Sequence, residues 1–454
     1  MAVKAAQRLS QRLAVQATKR PSCLFLSPLW PEPNSSAAGV RTLGLVAAFH
    51  RWGFAVDYGA GAKPGAHSAA LAATGVGIHH CGANREAALA AVLADSQPDV
   101  VVFDRFTAEE AFSFRVKQLM PGALRVLDMQ DMHSLRRARH ALVQAAGTCD
   151  VDIAAVAAHT PDATSESLLR ELAAIHRSDL TLVCSPMEME LLACKYSVPR
   201  SKLALAPFFC DTGLHATQEL PPLVERQGYV TIGGFRHAPN VDGVVWLAKH
   251  VWPLIRDAQP EAVMHVYGAY PTQAIQQLHN PGAGFLVRGA APSLDVLAKH
   301  RVLLAPLRFG AGIKGKIVDA WQYGLPVATT PIGCEGMVPA HNDSLPGTGV
   351  GGVSDWGGSV AATAADLARD AVHLHDDAEA WHRASNRGRA LLRQLFDRDE
   401  TLAAVQSAVA AARRNLAQQR HADFVGAMLW HHTARSTEYF SRWIELKETA
   451  ASST

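Results

Sequence analysis

A glycine- and lysine-rich segment contains the residue types in this sequence that most directly suggest chemistry. Gly310, Gly312 and Gly315 follow an apolar run and are interleaved with Lys314 and Lys316 ahead of a helical pattern. Glycines let a backbone approach a ligand closely, and a helix N-terminus presents unpaired N–H groups to an anion. The lysines add full positive charges for a diphosphate. The segment is neither a P-loop nor a complete G-x-G-x-x-G motif, and a tight turn with solvated lysines has the same spacing.

Polar residues and glycines also follow other apolar runs, at the points where parallel strands would end. These residues are Gly39 and Arg41; Arg105; Asp128, Asp131, His133, Arg136 and Arg139; and Gly233, Gly234 and Arg236. Ligands of doubly wound sheets bind at the carboxyl ends of strands, so these residues are candidates for one cleft.

Each of these candidates also has a structural interpretation. Arg41 and Arg236 could be solvated surface residues, and His133 could be a core histidine. Arg105 could pair with Glu109 or Glu110 on the following helix. A metal site is not predicted, because His133 has no second His or Cys at ligand spacing.

Short apolar runs alternate with helical stretches, and this alternation restarts near the middle of the chain. The run 100–103 (Val-Val-Val-Phe) is typical of a parallel strand that is buried on both faces. The pattern predicts an α/β protein with two Rossmann-like doubly wound domains that face a central cleft. The domains are expected at 22–212 and 213–395, with helices at 396–454 that pack back on them.

The composition of the 454-residue chain excludes several classes of protein. It is 48% hydrophobic, which is too apolar for a disordered protein. The net charge is only +2, so the overall electrostatic field of the protein does not favour binding to nucleic acid. No apolar run reaches the ~18–20 residues of a membrane span. The seven cysteines are scattered without a C-x-x-C pair, which favours a reducing, cytoplasmic location. The basic, acid-poor leader at 1–21 is either a frayed helix or a transit peptide for a mitochondrion or plastid.

The glycine-lysine segment also carries a resemblance to a known family. The run 310–320 (Gly-Ala-Gly-Ile-Lys-Gly-Lys-Ile-Val-Asp-Ala), with 324–327 (Gly-Leu-Pro-Val) and 333–336 (Gly-Cys-Glu-Gly), resembles the donor-site signature of GT-B glycosyltransferases of group 1, or family four. Together with the N-terminal pattern, the resemblance extends from Ser22 to about Phe396.

This resemblance implies roles for several residues. Asp319 would bind the ribose hydroxyls of a nucleotide, and Ile313 and Glu335 would lie in the substrate site. Gly39 and Arg41 match the N-terminal glycine loop of the family. The acid that usually stands eight residues before the ribose-binding acid is replaced by Ala311, as in a subgroup with this glycine-lysine pattern.

The activity implied is transfer of a sugar from a nucleotide-diphosphate-sugar to an acceptor hydroxyl, with retention and without a metal or other cofactor. The catalytic candidates are His133, which would contact the transferred sugar, and Arg236 and Lys314, which would neutralise the leaving diphosphate. The acceptor could be a small molecule, a glycan or a macromolecule. Two alternatives remain open: a GT-B-type epimerase that uses Asp131, His133 and Glu335, and a non-catalytic nucleotide- or RNA-binding scaffold, which Ala311 would permit.

Overall fold

The computed structural model describes residues 20–82, 86–147, 151–210, 220–338 and 356–452. Two parallel β-sheets with helices on both faces form two domains. Of the predicted basic leader, only Arg20 and Pro21 lie within the described residues.

Seven parallel strands form the sheet of the first domain, in the order β3-β2-β1-β4-β5-β6-β7. The strands are β1 (Ser22–Ser27), β2 (Ala55–Ala60), β3 (Gly77–His80), β4 (Val100–Asp104), β5 (Leu124–Asp128), β6 (Leu180–Val183) and β7 (Leu203–Leu205). The helices are α1 (Ala37–Arg51), α2 (Ala66–Ala72), α3 (Glu86–Ser96), α4 (Phe106–Leu119), α5 (His133–Ala145), α6 (Ile153–Ala158), α7 (Glu166–Arg177) and α8 (Pro186–Glu190). All residues of β4 and β5 are buried, as expected for central strands covered on both faces.

Six parallel strands form the sheet of the second domain, in the order β10-β9-β8-β11-β12-β13. The strands are β8 (Tyr229–Ile232), β9 (Met264–Tyr267), β10 (Phe285–Gly289), β11 (Val302–Ala305), β12 (Val327–Thr329) and β13 (Gly358–Val360). The helices are α9 (Ala238–Trp246), α10 (Trp252–Ala258), α11 (Gln273–Gln276), α12 (Gly315–Gln322), α13 (Pro331–Cys334) and α14 (Ala364–Asp376).

Both sheets have the doubly wound order 3-2-1-4-5-6, and the first sheet adds one further strand. The direction of winding therefore reverses between β1 and β4 in the first domain and between β8 and β11 in the second. Loops that leave the carboxyl ends of strands at such a reversal form a crevice that binds ligands. This architecture confirms the predicted fold class.

The chain returns to the first domain after the second. Helix α15 (Ala378–Phe396) packs on the second domain, whereas α16 (Arg398–Arg414) lies against β6 and β7. Val405 and Val409 of α16 are buried in the hydrophobic core that contains Phe25. Two further helices follow, α17 (Leu416–Ala422) and α18 (Phe424–Ser452).

The two chain segments that cross between the domains are hydrogen-bonded to each other. The N–H of Cys210 donates to the carbonyl of Phe396 over 2.8 Å, and the N–H of Arg398 donates to the carbonyl of Cys210 over 3.1 Å. Each domain is thus joined to the other by a pair of bonded segments and not by a single linker.

The structure differs from the sequence-based expectation mainly at sheet edges and helix ends. Strands β3, β7 and β13 were not predicted. They are edge strands of only three or four residues, which is too short for a clear pattern of apolar residues. The helix expected over 241–258 is divided by a π-helical turn, Leu247–Val251. None of the described helices combines the length and apolar composition needed to cross a bilayer.

Candidate active site

The loop between β11 and α12, residues 306–314, approaches the first domain so closely that it requires glycine. Gly312 has a φ of +66°, and a Cβ atom there would lie 2.9 Å from the Cβ of Asp131. A Cβ at Gly315 would lie 2.7 Å from the Cβ of Ala37. The buried Lys314 donates from Nζ to the carbonyl of Gly312 over 2.5 Å. We call residues 306–316 the donor loop.

Lys316 and Asp319 lie one turn apart at the start of α12, and both are half-buried. Desolvation raises the pKa of Asp319 to about 7, although the positive charge of Lys316 opposes this shift. Desolvation likewise lowers the pKa of Lys316 to about 8, against the attraction of Asp319. No described residue forms a hydrogen bond or ion pair with the Asp319 carboxylate. It is therefore available to a ligand.

The loop after β8 completes this wall of the site. The carbonyl of Gly234 accepts a 2.9 Å hydrogen bond from the Asn240 side chain, whose Oδ1 accepts another from Lys316 Nζ over 2.9 Å. Lys316 thus lies beside Asn240 and is tied through it to the loop after β8. Arg236 is 66% exposed and stacks 3.6 Å from the centre of the Tyr270 ring.

Loops of the first domain face these residues directly. A Cβ atom at Gly234 would lie 2.6 Å from the carbonyl oxygen of Ser35, and one at Gly39 would lie 2.5 Å from that of Glu32. Glu32 also lies 3.8 Å from Arg236. Gly234 therefore lies where the two domains meet, and Gly39 packs on Glu32, which reaches Arg236 of the second domain, whereas a Cβ atom at Gly233 would lie 2.7 Å from the Asn240 side chain of its own domain.

Asp131 and His133 form the opposite wall, at the carboxyl end of β5. Asp131 pairs with His133 Nε2 over 3.1 Å and with Arg136 Nε over 2.7 Å. Although burial opposes ionisation, Arg136 and His133 hold the pKa of Asp131 well below its ordinary value. Asp131 is therefore a carboxylate that orients His133, and it is a poor base. The His133 ring stands edge-on to Phe106, with centroids 5.4 Å apart.

The arginines predicted in the first domain have different environments. Arg41 is buried, with Nη2 2.8 Å from Asp128 and Nη1 2.9 Å from the carbonyl of Pro207, so it ties strand ends together. Arg105 has a φ of +64°, which is uncommon for a residue other than glycine, and its Nε lies 3.2 Å from Asp104. The alternative pairing of Arg105 with Glu109 or Glu110 is wrong, since those two acids bind Arg177 and Arg170.

Glu335, a predicted substrate-binding residue, is bound by an arginine of the facing domain. The buried Arg139 donates to both carboxylate oxygens of Glu335 over 2.7 Å and to the carbonyl of Gly310 over 3.0 Å. This bidentate pair holds the donor loop and the loop after α13 against α5. Glu335 therefore has its carboxylate occupied in this arrangement of the domains.

We expect Glu335→Gln to lower the free energy of unfolding by about 3 kcal/mol, because it leaves the buried Arg139 without its counter-charge. Urea denaturation followed by tryptophan fluorescence measures this change. The matched control is Glu379→Gln, which removes an exposed pair with Arg383 and should cost less than about 1 kcal/mol. Equal effects of the two substitutions would contradict the structural role of the Arg139–Glu335 pair.

Ala311 and Ile313 are both buried. Ala311 packs within a hydrophobic cluster of the first domain that includes Met129 and Met132. An acid at this position would be buried among apolar side chains, at a cost in free energy unless it were paired.

Sequence reasoning missed two buried acids that organise the wall formed by the first domain. Glu171 accepts the N–H groups of His133 and Ser134 over 2.7 Å and 2.8 Å, and so caps the start of α5. Glu188 accepts the N–H groups of Met132 and Gly312 over 3.1 Å and 2.6 Å, and thereby joins the two domains. Both acids lie in amphipathic helical stretches, where a single glutamate normally indicates a solvated residue.

A cavity of about 500 Å³ opens beside the carboxyl ends of β1 to β4 in the first domain. Its lining residues are Pro28, Gly61, Gly82, Thr107, Ala111 and Phe112. None of the predicted site residues lines it, although Arg105 is close to Thr107 in the chain. No three His, Cys, Asp or Glu side chains converge on a metal-binding position in the part of the chain that the structure describes.

Comparison with known proteins identifies the second domain. A family model described as "Glycosyl transferases group 1" matches residues 226–372, a range that contains the donor loop, Arg236, Asp319 and Glu335. The second domain is a group 1 glycosyltransferase domain. The chain has no significant sequence match among curated proteins.

Solved structures with the GT-B fold resemble this chain over most of its length. A glycosyltransferase from Rickettsia africae is 10% identical, with a TM-score of 0.62 over 88% of this chain and 99% of its own. HepE from Anabaena, in complex with UDP-glucose, is 12% identical, with a TM-score of 0.61 over 86% and 99%. Sucrose-phosphate synthase from Thermosynechococcus elongatus is 15% identical, with a TM-score of 0.61 over 87% and 100%. At these identities, the similarity establishes the GT-B fold of the chain.

Proposed function

We propose that this glycosyltransferase moves a hexosyl group from a nucleoside-diphosphate sugar to an acceptor hydroxyl, with retention of configuration. The observation that carries the proposal is the Asp319 carboxylate, which no described residue binds. It lies in the second turn of α12, which follows a glycine loop and has Lys314 and Lys316 at its N-terminal end. This combination suits a ribose next to a diphosphate. Structures of HepE with UDP and with UDP-glucose support a uridine nucleotide as the first donor to test.

The chemistry requires stabilisation of the leaving group more than a strong base. In the proposed step, the bond between the anomeric carbon and the diphosphate oxygen breaks. The acceptor oxygen bonds that carbon on the same face, and its proton passes to a phosphate oxygen. Lys314, Lys316 and Arg236 would stabilise the charge that grows on the diphosphate. We propose that these side chains supply the positive charge, without a metal ion.

The first domain would orient the sugar and receive the acceptor. His133 is held by the ionised Asp131, which lies against Gly312 of the donor loop, and we propose that it contacts the transferred sugar. The cavity near Thr107 would accommodate the acceptor, since it opens at the same edge of the sheet. Its lining is largely apolar, which suits the uncharged part of an acceptor molecule.

A donor screen by thermal shift tests this proposal. A ligand at 100 times its dissociation constant stabilises the folded state by about 2.7 kcal/mol, which corresponds to several degrees for domains of about 200 residues. We expect one class among UDP-, GDP-, ADP- and CMP-sugars to give such a shift. The others should give little.

Proton NMR of the product made from the best donor then determines the anomeric configuration. Release of an epimer without any acceptor would favour the epimerase. Binding without turnover over a broad acceptor panel would favour the non-catalytic scaffold.

A further inference from the structure

Glu188 is a fully buried acid of the first domain that contacts the donor loop of the second. Its Oε1 accepts the N–H of Met132 over 3.1 Å and the N–H of Gly312 over 2.6 Å. Its Oε2 is buried and has no hydrogen-bond partner among the described residues. One oxygen of this carboxyl therefore bridges the two walls of the site.

The two N–H groups belong to segments that carry site residues. Met132 lies between Asp131 and His133, and the carbonyl of Gly312 accepts the hydrogen bond from Lys314 Nζ. The backbone of Gly312 is therefore fixed from both sides, by Glu188 at its N–H and by Lys314 at its carbonyl. A shift of Gly312 would move Lys314 relative to His133.

We propose that Glu188 is a positioning residue, whose carboxyl holds the donor loop against the first domain so that Lys314 and His133 face the same ligand. The proposal rests on the proposed function, because the ligand is the nucleotide-sugar donor. Glu188 acts through the backbone of Gly312 and need not touch the reacting atoms.

The charges around Glu188 make this contact sensitive to pH. Burial, and then the negative charge of Asp131, raise the pKa of Glu188 to about 8, although the Met132 and Gly312 N–H groups and Lys314 oppose the shift. Cys184 also faces it, and burial raises the pKa of that thiol to about 12. Because the pKa of Glu188 is raised where it is buried against the donor loop, the free energy that favours this closed arrangement is greatest below the ordinary glutamate value of 4.5 and is lost as pH rises to about 8.

Hydrogen exchange of the donor loop tests the proposal without depending on turnover. In the wild-type protein, exchange of residues 310–316, corrected for intrinsic rates, should rise about tenfold between pH 7 and pH 9.5. Glu188→Gln keeps an oxygen that accepts both N–H bonds and cannot ionise, so its loop exchange should change less than about twofold over that range. Glu188→Ala should already give the high exchange at pH 7.

The matched control is Glu190→Gln, since Glu190 ends the same helix, is exposed and pairs with Arg200. It should preserve the wild-type pH dependence of loop exchange. Coincident pH profiles for the wild type and Glu188→Gln would overturn the proposal. Failure to find any sugar donor would overturn the proposed function, whereas the exchange profile would still decide whether Glu188 holds the loop.

Discussion

Replacing Asp319 with alanine is expected to lower the affinity for the sugar-nucleotide donor about 100-fold or more. Its carboxylate can accept hydrogen bonds from both ribose hydroxyls, and two charged hydrogen bonds together contribute about 3 kcal/mol or more. The fold should be intact, since no described residue depends on this carboxylate for a hydrogen bond. Titration calorimetry with the best donor measures the loss.

The pH dependence of donor affinity adds a second readout for Asp319. Because its pKa is raised to about 7, the carboxylate is partly protonated at neutral pH and accepts ribose hydroxyls less well. Lys316, with a pKa near 8, loses its charge above that value. Donor affinity should therefore be highest between about pH 7 and 8.

Asp319→Asn should remove the acidic limb of this affinity profile. The control is Asp257→Ala, an exposed acid of α10, which should bind donor like the wild type. Unchanged donor affinity in Asp319→Ala would exclude Asp319 from the donor site.

Replacing Lys314 with alanine is expected to lower turnover about 100- to 1000-fold, while donor affinity falls much less. Lys314 is a buried residue of the donor loop, and desolvation lowers its pKa despite the attraction of Glu335. A positive charge that is shielded from water stabilises nearby negative charge strongly. This stabilisation increases as negative charge develops on the leaving diphosphate in the transition state. Steady-state kinetics with the best donor, together with direct binding of the nucleoside diphosphate, separate the two effects.

Two further variants sharpen the assignment of Lys314. Lys249→Ala removes an exposed lysine of the same domain and should not change turnover. Lys314→Arg keeps the charge, but its planar fork does not reproduce the contact of Nζ with Gly312, so partial recovery is expected. Equal losses of affinity and turnover in Lys314→Ala would show that the lysine only anchors the ground state.

The strand core and the donor loop could be predicted from the sequence because their signals are local. The run 100–103 is apolar throughout and is buried throughout as part of β4. The glycines at 310, 312 and 315 indicate a close approach, and two of them do contact the first domain. In each case, the residues that indicate the structure are close neighbours in the chain.

The contacts between the domains could not be predicted, because each joins residues far apart in the chain. Arg139 and Glu335 are separated by 196 residues, and Glu188 and Gly312 by 124. Taken alone in the sequence, each of these charged residues would be interpreted as a solvent-exposed surface residue. Arg41 is the opposite case. A positively charged residue at this position suggested binding of a ligand, but in the structure its guanidinium pairs with the buried Asp128.

The return of the chain to the first domain has a consequence for synthesis on the ribosome. The core around Phe25 also needs Val405 and Val409, which are translated only after the entire second domain. The first domain can therefore begin to fold early. The part of its core that Val405 and Val409 cover stays exposed, however, while about 190 further residues are synthesised. The second domain, by contrast, can close its own sheet as soon as α15 emerges. Although its strands come second in the chain, the donor domain should be the first of the two to reach its native state.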